Sequence, residues 1–257
     1  MGSGAPAWLT QKHVRAATGV DAPAAIRQRE AFALDPYRAC LGLAAAATSR
    51  KATLFERSRA TKVKFSQTGV EVTTAGGSVR AGTVVVTTGS ATSEFAALRR
   101  HFKRAETYLV LTEPMPAAMR KKVGGGDLTF RDTKVPRRRL RWTADGRILI
   151  AGGDQAQPAD RLRDAVRVQR TGQLMYDLLT MYPVIEGLRP EYGWELGYGE
   201  TADGLMYIGP HRNYPHHLFA LGGPSDSVTG AFLAAGVVTR SLKRASEKED
   251  QVFSFTR

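Results

Sequence analysis

Apolar and polar positions follow strand or helix rhythms along most of the chain. Residues 1–32 are poorly patterned and Ala-rich, with 24–33 reading as helical. From Asp35-Pro36 to residue 50 the spacing predicts a helix: Pro36 suits a first-turn position, and Cys40, Leu43, Ala44 and Ala47 recur at helical intervals. Residues 53–88 read as four short strands, beginning at Leu54-Phe55-Glu56 and ending at Val84-Val85-Val86. Between them, 61–66 and 70–74 alternate across Gln67-Thr68-Gly69, a hairpin signal. Residues 108–112 and 147–151 are strands flanking a flexible Gly124-Gly125-Gly126-Asp127 loop. A long helix over 159–181 places Leu162, Val166, Leu174, Leu178 and Leu179 on one side, carries Asp160 and Asp164 in its early turns, and stops at Pro183. An aromatic strand over 191–199 follows. Near the C-terminus the apolar run Leu218-Phe219-Ala220-Leu221 meets Gly222-Gly223, and an amphipathic stretch covers 230–238. That is strand, glycine turn, helix, in which backbone N–H groups can face an electron-rich ligand.

Composition narrows the class. With 257 residues, 42% hydrophobic and 24% charged, the chain can bury a substantial core as one large or two modest domains. A lone Cys40 rules out an intrachain disulfide framework and suits a reducing cytoplasm. No charged-then-apolar leader opens the chain, and no apolar run approaches the ~18 residues of a membrane span. The net charge of +13 is unusual. Its clusters at 99–104, 120–122 and 137–141 are scattered and lack a nucleic-acid motif, so solvated faces outweigh phosphate binding as their explanation; attraction of an anionic substrate or acidic partner is a third reading.

Other chemistries find little support. His211, His216 and His217 are close in sequence, without Cys or carboxylate at metal spacing, and read as structural. Ser225 and Ser227 lack a nucleophile-elbow context, and Gly124-Gly125-Gly126 lacks the Lys-Ser/Thr of a phosphate loop.

Several pieces occur in a telling order: Leu34-Asp35-Pro36, 84–89 ending Thr87-Thr88-Gly89, 109–114 ending Glu113-Pro114, 145–153 ending Gly152-Gly153, Trp194, then Asp203-Gly204 with Ile208-Gly209-Pro210 and Gly222-Gly223. In these the chain resembles, over roughly residues 25–245, the C-terminal part of the FAD-dependent oxidoreductases of the D-amino-acid oxidase superfamily, glycine oxidases among them. The resemblance implies an α/β (α+β) fold: a partial FAD-binding Rossmann-like domain over 1–100, an antiparallel-sheet substrate domain over 101–203, and a C-terminal FAD-binding segment over 204–257.

It further implies FAD as cofactor, held near Val63, Thr88, Gly89, Gly222, Gly223, Ser225 and Ser227, and oxidation of a C–N bond in a small-molecule amine or amino acid by hydride transfer to flavin N5. Asp226 in that turn reads as a helix N-cap. An Arg that often clamps the substrate carboxylate, five residues before the Asp-Gly turn, is here Tyr198, which cannot give a bidentate clamp. An amine, a secondary amine or an unusual amino acid is then the expected substrate, unless Arg141 or Arg131 serves instead. The opening glycine fingerprint of the family is absent, since Gly2-Ser3-Gly4 follows no strand. The expectation is a truncated flavoenzyme in the cytoplasm, or a non-catalytic interaction module or split-enzyme subunit whose partner chain supplies the missing βαβ unit.

Overall fold

Asp35 accepts hydrogen bonds from the backbone N–H of Tyr37 (2.9 Å) and Arg38 (3.2 Å), and so starts a helix at Pro36, where a missing N–H costs nothing. This is a computed structural model describing residues 5–28, 34–123, 128–133, 136–223 and 228–257. The chain opens with β1 (Ala7–Thr10), α1 (Gln11–Thr18) and β2 (Ala24–Arg27), then α2 (Pro36–Ser49). Four strands follow: β3 (Ala60–Phe65), β4 (Val70–Thr74), β5 (Gly77–Ala81) and β6 (Val84–Gly89). After a 3-10 segment, Ser93–His101, come β7 (Lys103–Thr112), α3 (Ala117–Val123), β8 (Thr129–Arg131), β9 (Arg139–Trp142) and β10 (Ile148–Ala156). The last third holds α4 (Arg163–Met181), β11 (Pro190–Glu200), β12 (Tyr207–His211), β13 (Tyr214–Leu221) and α5 (Val228–Leu242).

The chain divides into two units, 1–34 with 106–196 and 35–105 with 197–257; the divisions fall inside β7 and β11. In the first unit the sheet runs β11-β7-β10-β9-β8, with β8/β9 and β9/β10 antiparallel. One face packs on α4. Tyr108, Val110, Leu140, Ile148 and Ile150 from the sheet meet Leu174 and Leu178 of the helix, and Tyr182 and Ile185 beyond it. Each fully buried aliphatic side chain here contributes roughly 2 kcal/mol. Tyr182 also donates its hydroxyl to the carbonyl of Thr18 at 2.6 Å, tying α1 to this core. That environment strips the phenol of water and pushes its pKa above the usual tyrosine range.

The second unit has a three-stranded sheet in the order β12-β13-β6, in which β13 and β6 are parallel and β12 and β13 antiparallel. Helix α5 covers it through Ala234, Val237 and Val238 against Ile208, Leu218 and Ala220. A separate antiparallel meander, β3-β4-β5, packs Val63 against the cluster of Val86, Phe95, Leu98, Phe219 and Leu221. The architecture is thus mixed α and β, with a Rossmann-like strand–glycine–helix element in one unit and an antiparallel sheet in the other.

Two expected elements are absent. Residues 24–27 form a strand rather than a helix start, because Trp8↔Ile26 and its neighbours pair the segment with β1. Residues 54–56 form no strand: Leu54 and Phe55 are 55% and 67% exposed. The strand count of that region is instead completed by β5, which Gly77 opens in a left-handed conformation (φ 148°). Helix α2 is present as expected, yet Leu43 is 71% exposed and none of its residues is buried among the described residues. Residues 124–127 lie outside the described residues.

Candidate functional site

In the second unit, the parallel strands β6 and β13 finish side by side, with Leu221 opposite Gly89. Ligands of such sheets bind beyond the carboxyl ends of the strands. Gly222 N–H donates to the Gly89 carbonyl at 2.7 Å, closing the two ends together. Gly222 sits at φ 79°, and a Cβ there would lie 2.8 Å from both Phe102 and Thr201, so only glycine fits. At Gly223 (φ 110°) an added Cβ would lie 2.9 Å from the Met206 side chain. Gly89, also left-handed at φ 75°, is different: among the described residues, nothing lies within 4 Å of where its side chain would be. Beside this floor the Thr201 hydroxyl is buried without a partner among the described residues. A glycine floor, an open position at Gly89 and an orphaned hydroxyl suit a polar group that approaches the backbone closely.

The sequence-predicted cofactor residues therefore separate into three sets. Thr88, Gly89, Gly222 and Gly223 come together at one strand end, Thr88 donating its hydroxyl to the Ser90 carbonyl at 2.9 Å. Val63 stands on β3 opposite Val72, its side chain packed into the core as a structural residue would be. Ser225, Ser227 and Asp226 lie outside the described residues.

The first unit offers a second locus, the sheet face turned away from α4. Alternation along β9 sends Leu140 to the helix side, where it joins the core, and Arg138 with it, paired to Asp177 of α4 at 3.1 Å. Arg139 and Arg141 consequently share the other face, open in the sense that α4 does not cover it. On β8, Arg131 is directly opposite Arg139 and Thr129 opposite Arg141. On β7, Glu106 and Tyr108 point to the helix side, so Thr107 points to the open one.

A one-residue slip in β10 completes the arrangement. Ile150 faces α4, yet so does Gln155, which donates to the Tyr108 hydroxyl at 3.0 Å and accepts from Arg170. The intervening Gly152 (φ 156°) and Gly153 (φ 68°) absorb the extra residue as a bulge. Asp154 is thereby delivered to the open face, 3.7 Å from Arg139. Three atoms there are buried without hydrogen-bond partners among the described residues: Thr107 Oγ1, Arg141 Nε and Asp154 Oδ1. Buried polar atoms are rarely left so unless a ligand or water completes them. Arg141 is otherwise engaged by the Leu34 carbonyl at 3.1 Å. Tyr198, the other expected substrate residue, is half-buried on the stretch of β11 assigned to the second unit. Sequence reasoning took residues 137–141 as a charge run; their polar–apolar alternation, Arg139-Leu140-Arg141, was the missed signal of a strand with one cationic face.

Residues 2–241 match the model of the family described as FAD dependent oxidoreductase. The chain belongs to that family. Its members use FAD, and the glycine floor described above fits that cofactor. A curated member, probable oxidoreductase OrdL from Haemophilus influenzae, is 25% identical over 220 residues, which are 84% of this chain and 48% of that protein. The chain thus spans about half the length of the curated relative it matches. Among solved structures, glycine oxidase from Geobacillus kaustophilus superposes with a TM-score of 0.78 at 19% identity, covering 98% of this chain and 67% of that one. L-Amino acid deaminase from Proteus myxofaciens also gives 0.78, at 12% identity, with 98% and 67% covered. At these identities the structural likeness shows the fold. Among the described residues, no helix is long and apolar enough to cross a membrane.

Proposed function

We propose that the chain takes part in FAD-dependent oxidation of a C–N bond in an amine or amino acid, the second unit holding the cofactor and the first the substrate. The observation that supports this most is the junction of Gly89 and Gly222 at the ends of two parallel strands, with Gly89 open and Thr201 Oγ1 unpaired beside it. Thr88, Gly89, Gly222 and Gly223 are the residues that would hold FAD. When bound, FAD supplies a two-electron acceptor for the hydride lost from the carbon next to nitrogen. This chain's own residues orient the substrate: Arg141 offers an unpaired N–H to a carboxylate, and Thr107 and Asp154 offer acceptors to the amine. Glycine oxidase and L-amino acid deaminase, two of the structural relatives, bear names consistent with such substrates. The native protein should show flavin absorption in the visible, and that absorption should bleach anaerobically on adding an amine substrate. Absence of flavin, together with no thermal stabilisation by added FAD, would defeat the reading.

A second reading is an assembly partner. It is favoured by exposed apolar side chains in the second unit: Tyr37 (72%), Leu41 (53%) and Leu43 of α2, and Val85 (40%) of β6, a strand that borders its sheet among the described residues. Light scattering distinguishes the two, since a well-behaved monomer that binds no apolar dye speaks against the assembly role.

A further inference from the structure

The open face of the five-stranded sheet is cationic beyond what a single carboxylate group needs. Arg131 and Arg139 are direct cross-strand neighbours, an arrangement that like charges normally disfavour. Arg141 lies two residues further along the same face. Against these three guanidinium groups, the strand positions of that face provide one carboxylate, Asp154. Asp154 is spent on Arg139 through one oxygen only, and its Oδ1 is buried and unpaired. Arg141 has an unpaired Nε, and Arg131, exposed at the end of β8, has no ion-pair partner among the described residues. Surface arginines are easily explained as solvated charge. Buried, orphaned donors and acceptors on the same face are not, because a polar group taken out of water is costly unless a partner meets it.

We propose that this face is a subsite for a dicarboxylic amine: Arg141 and Arg131 take the two carboxylates, and Asp154 Oδ1 with Thr107 Oγ1 accept the amine N–H groups. This rests on the reading of the first unit as the substrate side. Two carboxylates suit the guanidinium groups of Arg141 and Arg131, while the amine meets Thr107 Oγ1 and Asp154 Oδ1, acceptors buried without a donor among the described residues. The carboxylate site is built on β8 and β9 of the first unit.

Two probes of almost the same shape test it. Iminodiacetate and glutarate differ in that a central NH replaces a central CH2, and neither needs to be turned over for its binding to be measured by calorimetry. Both should bind the native protein more tightly than acetate, and R131Q, at an exposed position that cannot disturb the core, should weaken both by about tenfold, the scale of one lost charged contact. D154N should weaken iminodiacetate while leaving glutarate equal or tighter, because removing a negative charge helps a dianion and harms an amine. Acetate binding as well as the diacids, R131Q binding unchanged, or D154N shifting both probes together would each overturn the proposal. Flavin content, read from the visible spectrum of the same samples, separates the two ideas. Flavin retained without diacid binding sinks only the subsite; diacid binding without flavin sinks the oxidation reading and leaves the subsite standing.

Discussion

Arg257 grips Asp203 with both arms of its guanidinium, Nε donating to Oδ2 at 2.6 Å and Nη2 to Oδ1 at 3.0 Å. The same group donates to the carbonyls of Leu205 (2.8 Å) and Met206 (2.9 Å) and lies 3.7 Å over the Tyr207 ring. The Asp203-Gly204 turn is thus held by a residue more than fifty positions away.

That grip holds the Asp203 carboxyl down to about 2, chiefly through the hydrogen bonds from Arg257. A depressed carboxylate stabilises the fold above its unfolded value of 3.8 and loses that contribution as pH falls toward 2. R257A should lower the melting temperature at pH 7 and flatten its decline between pH 4 and about pH 2 relative to the native protein. An unchanged acid limb in R257A would mean that Asp203 is held by something else.

His101 and His211 stand 6.4 Å apart among Tyr207 and Phe255, and burial lowers both pKa values, helped by Arg100 at both sites and by Arg257 at His101. A histidine whose folded pKa lies below 6.5 gives full stability above that pH and loses it as pH drops through the interval beneath. The urea midpoint should therefore fall between pH 7.5 and pH 5, and H101F should shrink that fall.

Gly89 and Gly222 form a matched pair of probes. G222A places a methyl 2.8 Å from Phe102 and Thr201 and should lower stability by roughly 2 kcal/mol or more, with flavin content falling as a consequence. G89A meets no atom of the described residues and should cost the left-handed backbone penalty, about 1 kcal/mol. If FAD rests there, G89A should release it while the protein stays folded; equal flavin content in G89A and native protein would place the cofactor elsewhere.

Glu106 is fully buried and accepts from Arg163 Nη2 at 3.0 Å and from the Tyr108 hydroxyl at 3.1 Å. Arg163 keeps 40% of its side chain exposed, so it can turn to water when the carboxylate is lost. E106A should accordingly cost about 2–3 kcal/mol, less than breaking a pair buried on both sides, as measured by denaturant unfolding.

Much of this fold was legible in the sequence where local rules and burial agree. Asp35-Pro36 announced α2, Pro183 stopped α4, and the Leu218–Leu221 run with its glycines announced the strand end of the second unit. Prediction failed where pairing at a distance decides. Ala24–Arg27 is a strand because β1 lies against it, a fact no window around residue 24 contains. The grip of Arg257 on Asp203 and the partnerless hydroxyl of Thr201 are equally invisible, since each depends on segments far apart in the chain. At the open sheet face the strand alternation of Arg139-Leu140-Arg141 was available, but high charge in the run 137–141 obscured it. Ser225 and Ser227 lie outside the described residues.

Gly152 and Gly153 set the parity of everything downstream in β10. Straightening the bulge without removing a residue would turn Asp154 inward toward Tyr108 and bring Gln155 out, exchanging a carboxylate for a neutral amide on the arginine side. The polarity of that surface is therefore written in the backbone conformation at the glycine pair as much as in the identity of the side chains, and a substitution there that removes the bulge would alter ligand preference without touching Asp154 or Gln155 themselves.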